Sequence, residues 1–470
     1  MFKILRDIFK IPELRSRILR TLGLLVIFRL GFFIYLPGIN VDTFLETQRQ
    51  NAGGVLQFLL YTSALTGGNF STPVLFALGI MPYISASIIF SLMVKVFPKL
   101  EALSKEGEQG RRTITRYTRY ATVVLCIVQS LFLVFSWHNP ASGADSISLN
   151  AGSFWMQLLQ ITTLTAGSLF LMWLGEKITE VGIGNGTSLI IMVGIVAQMP
   201  GALALLGQKI QTAYANGSDQ LPFEISRVLV LMLLYVSVIA SVVFITKGQR
   251  RIPVQQQRAV KGRRVYGGQR HFMPLKVNAA GVLPIIFAQS LTMIPALALN
   301  AFAYQDSESG FFRFLQAIGV ALAPSGFLYY LIYAGLIFFF TYFWTSLMFN
   351  PVEIAANMKE YGSFIPGIRP GKRTAEYLER VMKRITLAGA AFLCLIAMVP
   401  QFISRAIEVD FYVATFLGGT GILIVVGVVL DLVDKIEAQL LVRQYEGFMR
   451  GGDAPRRGSG GPEKKPLTSL

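Results

Sequence analysis

The sequence has few of the residues that build metal centres or disulfides. Its 470 residues include only two cysteines and two histidines. Cys126 and Cys394 each lie inside an uncharged apolar run, where cysteine serves as a small hydrophobic residue. His138 and His271 lie in different polar connections. We therefore predict no disulfide, no metal site and no cofactor.

Charge is also missing from the long apolar runs, in which Arg29 is the single charged side chain. Ion-coupled transporters and selective ion channels need charged groups or carbonyl-lined filters inside the membrane, so this lack argues against both classes. The sequence has no Walker loop and no clear pair of nucleophile and base. We expect that the protein is not an enzyme.

Apolar residues, by contrast, make up 53% of the chain. They gather in ten runs of about 20 residues, the length that crosses a hydrocarbon core of about 30 Å as a helix. We therefore predict an all-α polytopic membrane protein with ten transmembrane helices. The predicted spans are 21–39, 73–94, 120–137, 154–174, 188–206, 228–245, 277–299, 327–349, 385–402 and 411–430.

The basic residues that give the chain a net charge of +17 are concentrated in alternate connections. The first 20 residues and the connections after spans two, six and eight are rich in Lys and Arg, whereas the one after span three has none. The short fourth connection, with only Lys177, departs from this alternation. The positive-inside rule then places both termini in the cytoplasm. Five spans in each half would give the halves opposite orientations, as in an inverted repeat.

These spans define the predicted domains. Residues 1–20 form a cytoplasmic N-terminal segment, and 21–206 form a first half with spans one to five. Residues 207–435 form a second half with spans six to ten and cytoplasmic loops at 247–276 and 350–384. Residues 436–470 form a cytoplasmic tail that we expect to be partly disordered, because its end is rich in Gly, Pro and charge.

A short apolar segment at 54–66 precedes the second span and is flanked by paired glycines. As a helix it would extend only about 20 Å, too little to cross the membrane. It either lies in the interface as an amphipathic helix or folds back into a protein cavity as a stopper.

Several motifs follow one another in a characteristic order. They are FALGIMPYISAS at 76–87, GIGNG at 182–186, GRRVY at 262–266, PLKVN at 274–278, FNP at 349–351 and FIPGIRPG at 364–371. On a chain of ten predicted spans, this set resembles the SecY/Sec61-alpha family over about residues 10–450. Read alone, 182–186 indicates a tight turn between spans.

The resemblance implies a clamshell of two inverted five-helix halves around an hourglass pore. The clamshell would also open sideways, as a lateral gate, between spans two and three on one side and seven and eight on the other. By this resemblance, the segment at 54–66 corresponds to the plug that closes the pore in the family. The implied plug residues are Gly54, Val55, Leu56, Phe58, Leu59, Leu60, Tyr61 and Leu65.

The resemblance also implies a ring of aliphatic side chains at the waist of the pore. The positions carried over by motif are all isoleucine: Ile80, Ile84, Ile191, Ile195, Ile286 and Ile424. The i, i+4 spacing of the first two pairs places each pair on one helix face. Ordinary packing is the alternative interpretation, since isoleucine is common in transmembrane helices.

The loop at 247–276 contains nine basic residues and no acidic one. It is either a determinant of orientation alone or a docking surface for phosphates of ribosomal RNA. The resemblance implies that the ribosome and the SecA motor dock there and at 367–371. The implied docking residues are Arg251, Arg258, Arg263, Arg264 and Arg369.

The function implied by the resemblance is that of the central channel-forming subunit of the Sec protein translocase. The pore would passively export unfolded secretory proteins, and its lateral gate would insert membrane proteins into the bacterial cytoplasmic (inner) membrane. The implied partners are SecE and SecG in a heterotrimer, SecA, the ribosome, SecDF, YidC, signal peptides, nascent polypeptides and the lipid bilayer.

Two other classes of function remain open at this point. A small-solute transporter with inverted repeats would need a polar site at the midplane, and the spans offer no set of charges for one. A scaffold without a pore would leave 54–66 and the basic loops without a purpose. Arg29 either extends to the membrane surface or pairs with backbone carbonyls.

Overall fold

Helices dominate the part of the chain that the structure describes. The structure, a computed structural model, describes residues 11–41, 72–138, 153–215, 221–257, 259–261, 264–266, 270–292, 327–407, 413 and 419–451. The helices of the first half are α1 (Pro12–Leu30), α2 (Met81–Val96), α3 (Pro98–Lys105), α4 (Glu108–His138), α5 (Phe154–Val181), α6 (Gly186–Val196) and α7 (Met199–Ala215).

The second half adds six helices and five strands in the described residues. The helices are α8 (Leu221–Lys247), α9 (Leu283–Thr292), α10 (Phe327–Met348), α11 (Pro351–Glu360), α12 (Lys372–Ile407) and α13 (Thr420–Gly451). The strands are β1 (Gln249–Gln256), β2 (Ala259–Lys261), β3 (Arg264–Tyr266), β4 (Arg270–Lys276) and β5 (Ser363–Phe364).

Six helices in the described part of the chain are long and apolar enough to cross a membrane. They are Glu108–Phe135, Phe154–Val181, Gly186–Thr212, Pro222–Lys247, Leu328–Glu360 and Lys372–Val399. The pair α2 and α3 makes a seventh if the two are counted as one span bent by 100°. Helix α9 covers only part of the predicted span 277–299, whose end lies outside the described residues.

The second span differs from its prediction at its start. We predict a helix from residue 73, but the helix begins at Met81, after turns at 75–80. Gly79 has a φ of +59°, a left-handed conformation that interrupts the helix. Pro82 lies in the first helical turn, where its missing N–H leaves no hydrogen bond unmade.

The helices of both halves share one hydrophobic core. Helix α5 contacts α1, α2, α4 and α6, and α13 contacts α8, α12 and α6. The contact between α6 and α13 therefore joins the two halves directly. One cluster of buried side chains includes Leu164 and Ile190 from the first half and Ile337 and Leu393 from the second.

The loops predicted at 247–276 and 350–384 have regular structure in the described residues. Strands β1 and β4 pair antiparallel from Gln249–Lys276 to Gln255–Arg270, and β5 pairs with the end of β1. Strands β2 and β3 form a second, two-stranded antiparallel sheet. Helix α12 begins at Lys372, so the last part of the second predicted loop is helical. Helix α13 continues to Gly451, so residues 436–451 of the predicted tail are helical.

Candidate functional site

Ile80 and Ile84 lie at the entrance of α2. Ile80 occupies the N-cap position, and the backbone N–H of Ile84 donates a hydrogen bond to its carbonyl oxygen at 3.2 Å. The two side chains therefore lie one turn apart on the same face, and both are buried.

Ile191 and Ile195 lie on the buried face of the short helix α6. The side chain of Asn185 caps this helix by accepting a hydrogen bond from the N–H of Thr187 at 3.1 Å. Helices α5 and α6 approach so closely that a Cβ at Gly186 would lie 2.0 Å from the carbonyl oxygen of Gly175. Glycine at this crossing therefore allows α6 to pack directly against α5, and this packing fixes the depth of Ile191 and Ile195.

The same crossing brings α6 close to the start of α2. A Cβ at Gly175 would lie 3.3 Å from Cδ1 of Ile80 and 3.4 Å from Cδ1 of Ile190. A Cβ at Gly167, two turns earlier on α5, would lie 2.2 Å from the carbonyl oxygen of Leu75. Helix α5 thus supports both elements that carry the predicted pore residues of the first half.

Ile286 and Ile424 lie on neighbouring helices of the second half. Ile286 is one turn after Val282, whose carbonyl oxygen accepts the N–H of Ile286 at 3.4 Å. A Cβ at Gly427 would lie 2.6 Å from Cγ2 of Val282, so the segment leading into α9 packs tightly on α13. Ile424 is buried and Ile286 is half-buried.

The six predicted isoleucines share one apolar environment. Five are buried members of the core cluster that spans both halves, and Ile286 packs against it. Aliphatic side chains can neither transfer protons nor bind ions, so this group is suited to exclude water and to contact other chains without selecting their sequence. Whether the six form a ring stays a prediction.

The predicted plug residues, from Gly54 to Leu65, lie outside the described residues. Among the described residues, no group of three or more His, Cys, Asp or Glu side chains is close enough to hold a metal ion.

The basic hairpin and the second loop form one folded unit: β1, β4, β5, α11 and the first turns of α12. We call it the cytoplasmic unit after the side of the membrane that the sequence predicts for it. Its core contains Ile252 and Val254 from β1, Leu275 from β4 and Ile365 from the second loop, packed on Leu378 of α12. The N–H of Gln257 also donates to the carbonyl oxygen of Gly362 at 2.8 Å. Two loops that the sequence separates by about 100 residues therefore act as a single body.

Two of the predicted docking arginines lie exposed on the cytoplasmic unit. Arg251 precedes Ile252 on β1, where exposed and buried residues alternate as expected for a strand with one covered face. Arg369 lies in the turn between β5 and α12, and its carbonyl oxygen accepts the hydroxyl of Thr374 at 3.0 Å. The side chain of Arg264 and all of Arg258 and Arg263 lie outside the described residues.

The sequence interpretation missed the β-sheet of this unit. Its signal was present in the alternation of residues 249–256, in which Ile252 and Val254 are the apolar positions. The strand is short and basic, so a search for long apolar runs does not find it.

The comparisons with known proteins agree with this architecture. The family model of SecY matches residues 74–433. The protein translocase subunit SecY of Thermotoga maritima is 39% identical over 454 residues, which cover 96% of this chain and 99% of that protein. A solved protein-conducting channel matches with a TM-score of 0.60 and 20% identity over 90% of this chain and 92% of its own. Sec61 in a canine ribosome-channel complex from the endoplasmic reticulum matches with a TM-score of 0.55 and 18% identity over the same shares of the chains.

Long apolar helices, two halves in contact and a core with no buried charged residue in the part of the chain that the structure describes define a multi-pass membrane protein with the fold of protein-conducting channels. The chain belongs to the SecY family. It is therefore a channel-forming subunit of the protein translocase and not an enzyme. The predicted all-α fold with ten spans is confirmed as consistent with this family.

Proposed function

We propose that the six isoleucines close the pore of this channel and contact the unfolded polypeptide that passes through it. The observation that supports this assignment is their common burial: four helices from both halves, α2, α6, α9 and α13, bring them into or against one apolar cluster. The functional interpretation competes with ordinary packing, and an experiment separates the two.

An aliphatic constriction matches the task of a protein channel. Narrow apolar passages hold water poorly, so they oppose the passage of ions when no polypeptide is present. Each unit charge that crosses 100 mV changes in free energy by about 2.3 kcal/mol, so a leak would dissipate the membrane potential. Isoleucine makes no selective hydrogen bonds and therefore accepts any extended chain.

The other parts of the pore follow the family pattern. We assign residues 54–66 as the plug and the gap between spans two and three and spans seven and eight as the lateral gate. The halves at 21–206 and 207–435 would then hinge against each other. The packing of α6 on α13 supports a hinge at that contact, because it joins the halves on described residues.

The proposed location is the bacterial cytoplasmic membrane, with both termini in the cytoplasm. This orientation places the basic hairpin, the Arg369 turn and the segments 1–20 and 436–470 on the cytoplasmic side. The support is the alternation of basic and non-basic connections along the sequence.

The cytoplasmic unit is the proposed docking surface for the SecA motor and the ribosome. Arg251 and Arg369 are exposed on one folded body, so a partner can engage both loops at once. Arg258, Arg263 and Arg264 belong to the same basic connection in the sequence, and we propose them as further docking residues. The canine Sec61 structure was solved in a ribosome-channel complex, which favours the ribosome as one partner. SecE and SecG complete the proposed heterotrimer, with SecDF and YidC as further partners.

The test is the ion conductance of reconstituted translocase that carries Ile195→Asp. A carboxylate at a buried position of the closed pore attracts water, so we expect the resting conductance to rise at least tenfold above that of the wild type. Planar-bilayer recording measures it.

Ile195→Leu is the matched control, because it keeps an aliphatic side chain of the same volume and should keep the low conductance. A low conductance in a correctly assembled Ile195→Asp complex would contradict the assignment of Ile195 to the pore.

A further inference from the structure

The turn at 182–186, between α5 and α6, is held by hydrogen bonds on both sides. The buried N–H of Ile183 donates to the hydroxyl of Thr21 on α1 at 3.3 Å. The N–H of Gly186, the first residue of α6, donates to the hydroxyl of Thr179 near the end of α5 at 2.8 Å. Because these bonds bind the turn to α1 and to α5, the start of α6 has a fixed position relative to both helices.

Two glycines of this turn allow other helices to approach it closely. A Cβ at Gly182 would collide with Oγ1 of Thr21 on α1. Gly184 has a φ of +89°, a left-handed conformation that favours glycine. A Cβ at Gly184 would lie 3.5 Å from Cδ1 of Leu432 on α13. The turn therefore lies between α1 of the first half and α13 of the second.

Apolar side chains from α1, the turn and α13 form a small cluster of their own, which we call the turn cluster. Leu14 and Ile183 are its buried members. The half-buried side chains that pack against them are Ile11, Ile18, Leu432, Ile436 and Leu440. On each helix the members are three or four residues apart, so they form one stripe along it. The turn cluster thus joins the two halves, with the side chain of Ile183 at its centre.

The turn cluster lies one level below the predicted pore isoleucines. Along α6 the chain passes from the turn cluster into the large core cluster, whereas along α13 it passes from the large cluster into the turn cluster. The two helices therefore run antiparallel. Ile191 follows Gly184 by seven residues and Ile424 precedes Leu432 by eight. At about 1.5 Å per residue, both isoleucines lie about 10–12 Å from the contact between Gly184 and Leu432.

We propose that Thr21 and Ile183 are positioning residues of the channel, which hold α6 and α13 at the separation that closes the isoleucine ring. This inference rests on the proposed function of the six isoleucines. Ile183 fills the space between α1 and α13, and Thr21 fixes the backbone of Ile183. A narrow apolar passage excludes water only while it stays narrow, so a small shift of α6 away from α13 admits water and ions.

The first test is Thr21→Val in reconstituted translocase. Valine has nearly the shape of threonine but cannot accept the N–H of Ile183, so a buried donor loses its partner and the turn shifts. We expect the resting conductance per assembled channel, recorded in planar bilayers, to rise at least about threefold. Thr21→Ser is the matched control, because it keeps the hydroxyl group and should keep the low conductance of the wild type.

Leu432→Ala tests the same inference from the side of α13 and leaves the hydrogen bonds of the turn in place. It removes apolar volume next to Ile183, so the resting conductance should rise in this variant as well. Val433→Ala is its matched control, because Val433 is the next residue of α13 and is 37% exposed. If Thr21→Val fails to assemble, Leu432→Ala provides the decisive measurement.

Wild-type conductance in assembled Thr21→Val or Leu432→Ala channels would overturn the proposal. Equal conductance in Thr21→Val and Thr21→Ser channels would also overturn it, since the hydroxyl group would then have no part in the seal. Ile195→Asp, recorded in the same bilayers, separates this inference from the proposed function. If Ile195→Asp raises the conductance and the turn variants do not, the positioning role alone is wrong. If Ile195→Asp does not raise it, the ring and the positioning role are both wrong.

Discussion

Gly79 and Pro82 show how single residues place two of the predicted pore isoleucines, Ile80 and Ile84. The φ of +59° at Gly79 interrupts the helical path before α2, and Pro82 lies in the first turn of the helix, so Ile80 falls at the helix entrance and not in its interior. The sequence predicted the shared face of Ile80 and Ile84 from their spacing, and the hydrogen bond between their backbones agrees with it. The sequence did not predict that residues 75–80 form turns and not helix, because an apolar run looks the same whether or not its first residues are helical.

Arg369 is the residue for which we predict the sharpest effect on export. Its side chain is exposed, and the turn is held through its backbone carbonyl by Thr374. Arg369→Glu should therefore leave the turn folded while reversing the charge offered to the motor. We expect SecA-driven export of a preprotein into inverted vesicles to fall at least tenfold, with unchanged amounts of the channel in the membrane.

Arg373→Glu provides the matched control. Arg373 is also exposed, on the first turn of α12, and the substitution makes the same change in net charge. A general effect of charge would reduce export equally in both variants. Wild-type export rates in Arg369→Glu vesicles would contradict the assignment of Arg369 to the docking surface.

The cytoplasmic unit is the element that packing defines most clearly. Leu378 of α12 is fully buried in its core together with residues from β1, β4 and the second loop. Sequence alone could suggest the strand at 249–256 from its alternation, but not its pairing with residues 363–364. Such pairing joins positions far apart in the chain, and local patterns do not specify it.

Leu378→Ala should loosen this unit without affecting the spans. Removal of a buried leucine side chain typically costs about 2–5 kcal/mol, so the amides of β1 and β4 should open more often. Hydrogen exchange followed by mass spectrometry should show faster exchange in peptides from 249–256 and 270–276.

Leu387→Ala is the control on the same helix, because Leu387 is 53% exposed and leaves no cavity when truncated. We expect its effect on those amides to stay within about 0.5 kcal/mol. If exchange in the hairpin were the same in Leu378→Ala as in the wild type, the hairpin and α12 would not form one body.

At the scale of the whole molecule, orientation is the property that charge predicts. Placing both termini in the cytoplasm requires that the connection after span three face the outside and that the β1–β4 hairpin face the inside. Cys126 is buried and Cys394 is half-buried, so replacing both with alanine provides a background for labelling.

In that background, a membrane-impermeant maleimide should label Ser142→Cys in spheroplasts and Gln256→Cys only after lysis. Gln256 is an exposed residue at the end of β1, so a cysteine thiol there would be accessible from whichever side the hairpin occupies. Labelling of Gln256→Cys in sealed spheroplasts would contradict the predicted orientation and place the hairpin outside. The boundaries of the two halves stay predictions, and the same labelling applied to a cysteine in every connection would test them.

The sequence by itself determined that this chain is a bundle of membrane-spanning helices in which basic residues are concentrated in alternate connections. Run length, hydropathy and charge are local properties, and the bilayer acts on each segment separately. Only the tertiary structure decided which face of α1 is buried, how closely α5 and α6 approach at Gly175 and Gly186, and that two distant loops share one core. These features depend on contacts between residues remote in sequence, whose positions are set by the packing of the whole chain.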